Sequence, residues 1–309
     1  MRGLADTRVI GRAGSLRLLD QVSGITGVSG GSFTAAYYGL YRDRIFTDFE
    51  RDFLKRDIEA YIYGPYLAPR NWRWMVDATY GTNDRMAEIY DELMFHGAKY
   101  ADLQKRGRPL IALQATDVSY GNVFPFTQDS FDLLCSDITT FPVARAVAAS
   151  NGFPVLFTPI TLINHAERCK GYVPPWMSSA ERDTDPFSRR RALAGQARQY
   201  MDANKTRYVH LMDGGIADNL AMRGYIEQVE RLADYVTEAG AAVSPDLPRT
   251  RRVLLLSIDG QAAADSSWPQ RRSIGGLSQV LSAVSGTQID RYNFDTLVLA
   301  RASLEKLKA

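Results

Sequence analysis

The stretch Gly24 to Tyr41, GITGVSGGSFTAAYYGLY, places Ser29 between Gly27 and Gly31. A short apolar run leads into this G-x-S-x-G pattern and an Ala- and Tyr-rich segment leads out. Strand, sharp turn, then helix is the setting in which a serine hydroxyl can act as a nucleophile. So tight a turn holds the serine at strained dihedrals, and Gly27 and Gly31 are expected to remove the clashes that side chains would make there. The hydroxyl would stand at a helix N-terminus, where the Gly30 N–H and the helix dipole can hold an oxyanion. The bare pattern arises by chance in roughly one chain in ten, so the flanking elements carry the argument. A glycine-turn serine without chemistry remains the competing reading.

A serine hydroxyl needs a base to attack at neutral pH. The chain has three histidines, His96, His165 and His210. None follows Asp213, so the order serine, acid, histidine fails if Asp213 is the acid. His165 lies in the polar stretch NHAERCKG and reads as a surface residue. His210 precedes Asp213 by an odd number of strand residues, so the two side chains point to opposite faces. His210 therefore reads as a packed residue. Asp213 ends the apolar strand YVHLM and precedes Gly214 and Gly215. A carboxylate is a weak base at its ordinary pKa, and partial burial raises it. The other reading of Asp213 is a simple Asp-Gly turn.

The elements that must position these residues alternate between strand and helix. Val22 to Val28 reads as a strand and Gly30 to Tyr41 as a helix. RIFTDFERDFLKRD has apolar residues at helical spacing. NDRMAEIYDELMF reads as a helix capped by Asn83. PLIALQATD and NVFPFTQ read as strands, FPVARAVAAS as a helix ended by Asn151-Gly152, and VLFTPITLI as a strand. Residues 171–190 read as a surface insertion. RYVHLM is a strand, Asn219 to Glu238 a long helix, RRVLLLSID a strand apolar throughout, and Ser273 to Leu307 mostly helical. Runs buried on both faces predict an α/β sandwich with a mostly parallel sheet. No Gly/Ser-rich linker divides the 309 residues, which predicts a single domain over 1–309.

Composition narrows the function further. Lys plus Arg is 37 against 35 for Asp plus Glu, a balance that gives no electrostatic case for nucleic acid. The cluster SRRRALAGQARQ reads as a solvated helix face. Cys135 and Cys169 have no zinc spacing and could be free thiols or one bridge. No metal, nucleotide or other cofactor motif is visible. No apolar run reaches membrane-spanning length, and the first residues lack the apolar core of a signal peptide. YIYGPYLAPRNWRWMV is rich in Tyr and Trp, which suits a membrane interface, a lid or core packing.

With GVSGG (Gly27 to Gly31), HLMDGGIADNLAMR around Asp213, and PVARAVAASNGFPVLFTPI between them, the chain resembles the patatin-like phospholipase family, its larger bacterial members most. The likeness runs from about Leu18 to Asp295. The resemblance implies a three-layer α/β/α fold and a lipid acyl hydrolase of phospholipase A or lysophospholipase type. It implies a Ser29–Asp213 dyad, an acyl-serine intermediate, no cofactor, and a lipid ester presented at a membrane or micelle surface, hence peripheral membrane association. Asp218 and Asn219 are expected to cap the following helix. The family's glycine-rich oxyanion loop has no counterpart here. GRAG (Gly11 to Gly14) lies too close to Ser29 to leave room for a strand–helix–strand unit. The expectation is therefore a patatin-like domain without its first strand. The alternative is a non-catalytic lipid- or partner-binding relative with an incomplete oxyanion hole.

Overall fold

The computed structural model describes residues 1–11, 14–57, 80–154, 157–227, 254–260, 270, 272 and 277–306. A short helix α1 (Arg2–Asp6) precedes an antiparallel ribbon of β1 (Arg8–Gly11) and β2 (Gly14–Arg17). β3 (Gly24–Gly27) then runs into α2 (Gly30–Tyr41). The expected second helix is two separate turns, a 3-10 turn at Arg42–Phe46 and a π turn at Glu50–Leu54. Its aromatic spacing still serves packing: Phe53 stacks on Phe33 at 4.5 Å, and Phe49 tilts against Tyr37 at 5.1 Å. The aromatic segment 61–76 lies outside the described residues.

α3 (Thr82–Tyr90) continues into a π turn at Asp91–Phe95. Its cap is not Asn83. Asp84 reaches back to the Gly81 N–H at 2.9 Å, and the Asn83 amide instead donates to the Ala148 carbonyl at 3.0 Å. A carboxylate at the third helical position competes well for an orphan N–H. α4 (Tyr100–Lys105), β4 (Leu110–Asp117), β5 (Asn122–Pro125), α5 (Gln128–Leu133), α6 (Val143–Asn151) and β6 (Ile160–Ile163) follow. Then come α7 (Met177–Arg182), α8 (Arg189–Met201), β7 (Tyr208–Asp213), α9 (Gly215–Asp218) and α10 (Leu277–Lys306). The segment expected as a surface insertion gives Trp176, Met177 and Ala180 to the main core. The helix expected from Asn219 has its first helical residues at 223–227, since 219–222 form a turn, and 228–238 lie outside the described residues.

The main sheet has the order β3-β4-β7-β6, with β5 paired to β4. The class is α/β as expected, but the described sheet is mixed rather than mostly parallel. Only β3–β4 is parallel; β4–β5, β4–β7 and β6–β7 are antiparallel. The C-terminal half of β4 is buried on both faces, and burial carries no record of strand direction. β4 shows this residue by residue. Leu113 and Ala115 join the main core with α2 and α6. On the opposite face, Gln114 bonds the Ala221 carbonyl and Thr116 bonds the Asp213 carbonyl. A second small core of Leu220, Met222, Ile226 and Ala300 ties α10 to that side.

Of the strand expected over RRVLLLSID, 251–253 lie outside the described residues, and Leu254 to Asp259 have no regular secondary structure, with Leu254 83% exposed. An apolar run favours burial, but a strand also needs a partner edge, and none of the described strands pairs with it. Among the described residues β3 is likewise an edge strand. No described helix is long and apolar enough to cross a membrane.

Candidate active site

Strand register brings the two sequence-predicted groups together. Gly27 on β3 lies opposite Leu113 of β4, and Asp213 on β7 lies opposite Ala115. Ser29 is two residues past Gly27, and Ala115 is two past Leu113. Elbow and carboxylate therefore reach the same level on either side of β4, two strand spacings or about 10 Å apart in backbone. Their side chains span that gap, and Ser29 Oγ donates to Asp213 Oδ2 at 3.1 Å.

Ser29 has φ 49° and ψ −126°, a strained backbone for a residue with a Cβ. Gly27 permits the turn: a Cβ there would stand 2.9 Å from the Ala35 Cβ and 3.0 Å from the Gly31 carbonyl. Gly31, expected to relieve a similar clash, meets nothing within 4 Å among the described residues. The expected division of labour is therefore corrected: close helix–strand approach requires glycine at 27, and no steric contact requires it at 31. The Gly31 N–H is also engaged, donating to the Val28 carbonyl at 2.8 Å. Gly30 opens α2, where its N–H has no acceptor within the helix. The space at its Cβ position is likewise open.

The C-terminal end of α6 brackets both groups. A helix leaves its last carbonyls without intrahelical donors. Here the Ser150 carbonyl accepts the Ser29 N–H at 3.2 Å and the Gly214 N–H at 3.1 Å, and the Gly152 carbonyl accepts the Asp213 N–H at 3.0 Å. Ser150 Oγ adds a second acceptor for the Ser29 N–H at 3.1 Å. Between them stands Asn151, whose Oδ1 lies 3.3 Å from Ser29 Oγ and whose Nδ2 lies 3.4 Å from the Tyr90 hydroxyl. In the sequence Asn151 stands only as a helix terminator; its signal was the polar pair Ser150-Asn151 at the end of a helix that is otherwise apolar but for Arg145.

Asp213 is 7% exposed. Burial pushes its carboxyl above the ordinary value, opposed by hydrogen bonds from the Gly215 N–H and from Ser29. The Gly215 N–H reaches Asp213 Oδ1 at 2.8 Å, which leaves Oδ2 to Ser29. Thr116 Oγ1 donates to the Asp213 carbonyl at 2.8 Å and fixes the strand end. Gly214 lies against β4, where a Cβ would run into the Gln114 carbonyl. A Cβ at Gly215 would stand 3.1 Å from Asp213 Oδ1. Asp218 is buried apart from this pair and accepts the Arg223 N–H at 2.7 Å, the capping role expected of it. Burial holds its carboxyl up at about 6.

Among the described residues no hydrogen bond joins a histidine to the Ser29 or Asp213 side chain. His210 Nδ1 shares a hydrogen bond with Thr161 Oγ1 across β6 and β7 at 3.0 Å. His165 precedes the turn Ala166–Cys169, and His96 ends a π turn at φ 51°. Cys135 and Cys169, left open by the sequence, form a disulfide.

A family model described as patatin-like phospholipase matches residues 1–224, a span that holds both Ser29 and Asp213. The chain belongs to the patatin-like phospholipase family. Comparison with curated proteins and with solved structures returned no match. Membership in the patatin-like family indicates lipid acyl hydrolase chemistry with a lipid as substrate. The matched span ends just past Asp218 and its turn, so every element that brackets the patatin-like elbow falls inside it.

Proposed function

We propose that this protein hydrolyses carboxylic esters of lipids, as a phospholipase A or lysophospholipase, with Ser29 as nucleophile and Asp213 as general base. The observation that carries the reading is the 3.1 Å hydrogen bond from Ser29 Oγ to a buried carboxylate, made by a serine held at strained dihedrals. Strain at such a position persists where the surrounding structure imposes it, and here Ser150 does so from α6.

Asp213 Oδ2 takes the Ser29 proton as Oγ bonds to the ester carbonyl carbon. The carbonyl oxygen becomes an oxyanion beside the Gly30 N–H and the positive end of α2. Collapse breaks the ester C–O bond, the leaving alcohol takes the proton from Asp213, and an acyl-serine remains. Water then attacks the acyl carbon, giving its proton to Asp213. Collapse releases the fatty acid and returns that proton to Oγ. Partial burial suits the carboxylate to this, since a raised pKa makes it a stronger base. A lipid presented at a membrane or micelle surface is the matching substrate.

The test is fatty-acid release from phospholipid micelles and from a soluble short-chain ester. Ser29→Ala and Asp213→Asn should each lower kcat/KM by on the order of 10³-fold or more with the circular dichroism spectrum unchanged. Turnover by either variant within a factor of a few of wild type would sink the dyad. An inactive wild type in both assays would favour the non-catalytic, lipid-binding alternative.

A further inference from the structure

We propose that Asn151 is a third catalytic residue, a donor to the nucleophile, held in that role by the Tyr90 hydroxyl behind it. The inference rests on Ser29 being the nucleophile and extends the site by one side chain and its support.

Ser29 Oγ carries one proton, and two acceptors face it: Asp213 Oδ2 at 3.1 Å and the Asn151 side-chain amide at 3.3 Å. With amide oxygen toward Ser29, Asn151 and Asp213 compete for that proton, and the Asn151 NH₂ spends a hydrogen on the Tyr90 oxygen at 3.4 Å. The amide's two ends have the same shape, so only the hydrogen-bond network decides which end faces which partner. Turning it over removes the competition. Tyr90 O–H donates to Asn151 Oδ1, Asn151 Nδ2–H donates to Ser29 Oγ, and Ser29 O–H donates to Asp213 Oδ2. Asn151 and Ser29 then each give one hydrogen and take one, and the chain runs one way from Tyr90 into the carboxylate.

Tyr90 suits the head of this chain. It is 4% exposed, and burial pushes its phenol up to about 12, so it keeps its proton at working pH. It also ends α3, which packs along α6 and sets the phenol behind Asn151. Asn151 is fixed from its own side by the bonds of Ser150 and Gly152 to the elbow and the acid strand. The donor acts twice. It stabilises charge building on Oγ as the proton leaves for Asp213, and it assists Oγ as the leaving group when the acyl-serine is hydrolysed. The Asn151 hydrogen is not transferred in either step. Tyr90 is a positioning residue, acting through Asn151.

The experiment measures kcat and KM on the soluble ester, and the rate of Ser29 modification by a fluorophosphonate, in the full chain. Losing one preorganised donor costs on the order of 10²–10³-fold in rate. Asn151→Ala should therefore lower both kcat and the modification rate on the order of 10²-fold with KM changed less than threefold. Tyr90→Phe should lower kcat about tenfold with the same split, because Asn151 is then free to turn back. Asn151→Asp keeps the shape but is acceptor-only when ionised. It should lose activity and move the acid limb of the pH profile upward, since a second carboxylate opposes ionisation of Asp213. That isosteric variant also decides the matter if Asn151→Ala fails to fold. Full activity in Asn151→Asp or a folded Asn151→Ala, with Ser29→Ala inactive, would overturn the role of Asn151 and leave the dyad standing. Activity surviving in Ser29→Ala would instead remove the dyad, and this inference with it.

Discussion

At the scale of single residues, the decisive quantity is the protonation of Asp213. Burial raises its pKa above 3.8, and a base must be ionised to take the Ser29 proton. Activity is therefore expected to fall on the acid side through a midpoint above the ordinary carboxylate value, and to hold as pH rises. Single alanine variants of His96, His165 and His210 should leave that limb in place and retain most of the turnover. A limb that disappears with His165 or His210 would replace the dyad by a triad. The linkage to stability has the opposite sign. A carboxyl whose folded pKa is raised favours the protonated fold, so its contribution is complete below the unfolded pKa and is lost as pH rises through the folded one. Asp213→Asn should therefore be at least as stable as wild type at pH 7 in a denaturant titration, while inactive.

At the scale of elements, two glycines do unequal work. Gly214→Ala would drive a Cβ into the backbone of β4, and that backbone cannot give way as a flexible side-chain end would. A loss of about 1–3 kcal/mol is expected from such overpacking. Activity should fall with it, because the residue before it is Asp213. Gly31→Ala has open space among the described residues and gains helix propensity, so its denaturation midpoint should be unchanged or raised. The sequence could not separate these cases, because both glycines belong to equally plain motifs. What it did show was Ser29 and Asp213 themselves, since a strand-to-helix elbow and a strand-ending acid leave marks in local apolar patterning. Asn151 left only a polar helix end and Tyr90 nothing at all: the docking of the end of α6 on the elbow brings Asn151 to Ser29, and the packing of α3 along α6 sets Tyr90 behind it. The strand expected at 251–259 is absent over its described residues for a related reason, as an apolar run records a preference for burial and not the presence of a partner edge.

At the scale of the whole molecule, the α/β class was legible from alternating strand and helix runs, while the mixed strand directions were not. The two cysteines show the same limit. Their spacing left bridge or thiols open, and the fold settles it by bringing the turn after α5 to the Ala166–Cys169 turn. The bridge closes a loop of 34 residues. In the chain-entropy account a loop of that size contributes about 3–4 kcal/mol. The double variant Cys135→Ser, Cys169→Ser should therefore unfold at lower denaturant by about that amount. None of the bonds that place Ser29 or Asp213 runs through either cysteine, so the folded variant should keep its turnover at low temperature.

The proposed hydrolysis turns on an acyl-serine, which covalent trapping can locate. The full chain is treated with a fluorophosphonate carrying a fatty chain, and the modified residue is located by peptide mass spectrometry. One adduct per chain is expected, on Ser29, formed at least on the order of 10²-fold more slowly in Asp213→Asn. An adduct on another residue, or ester hydrolysis that continues after Ser29 is fully modified, would contradict it.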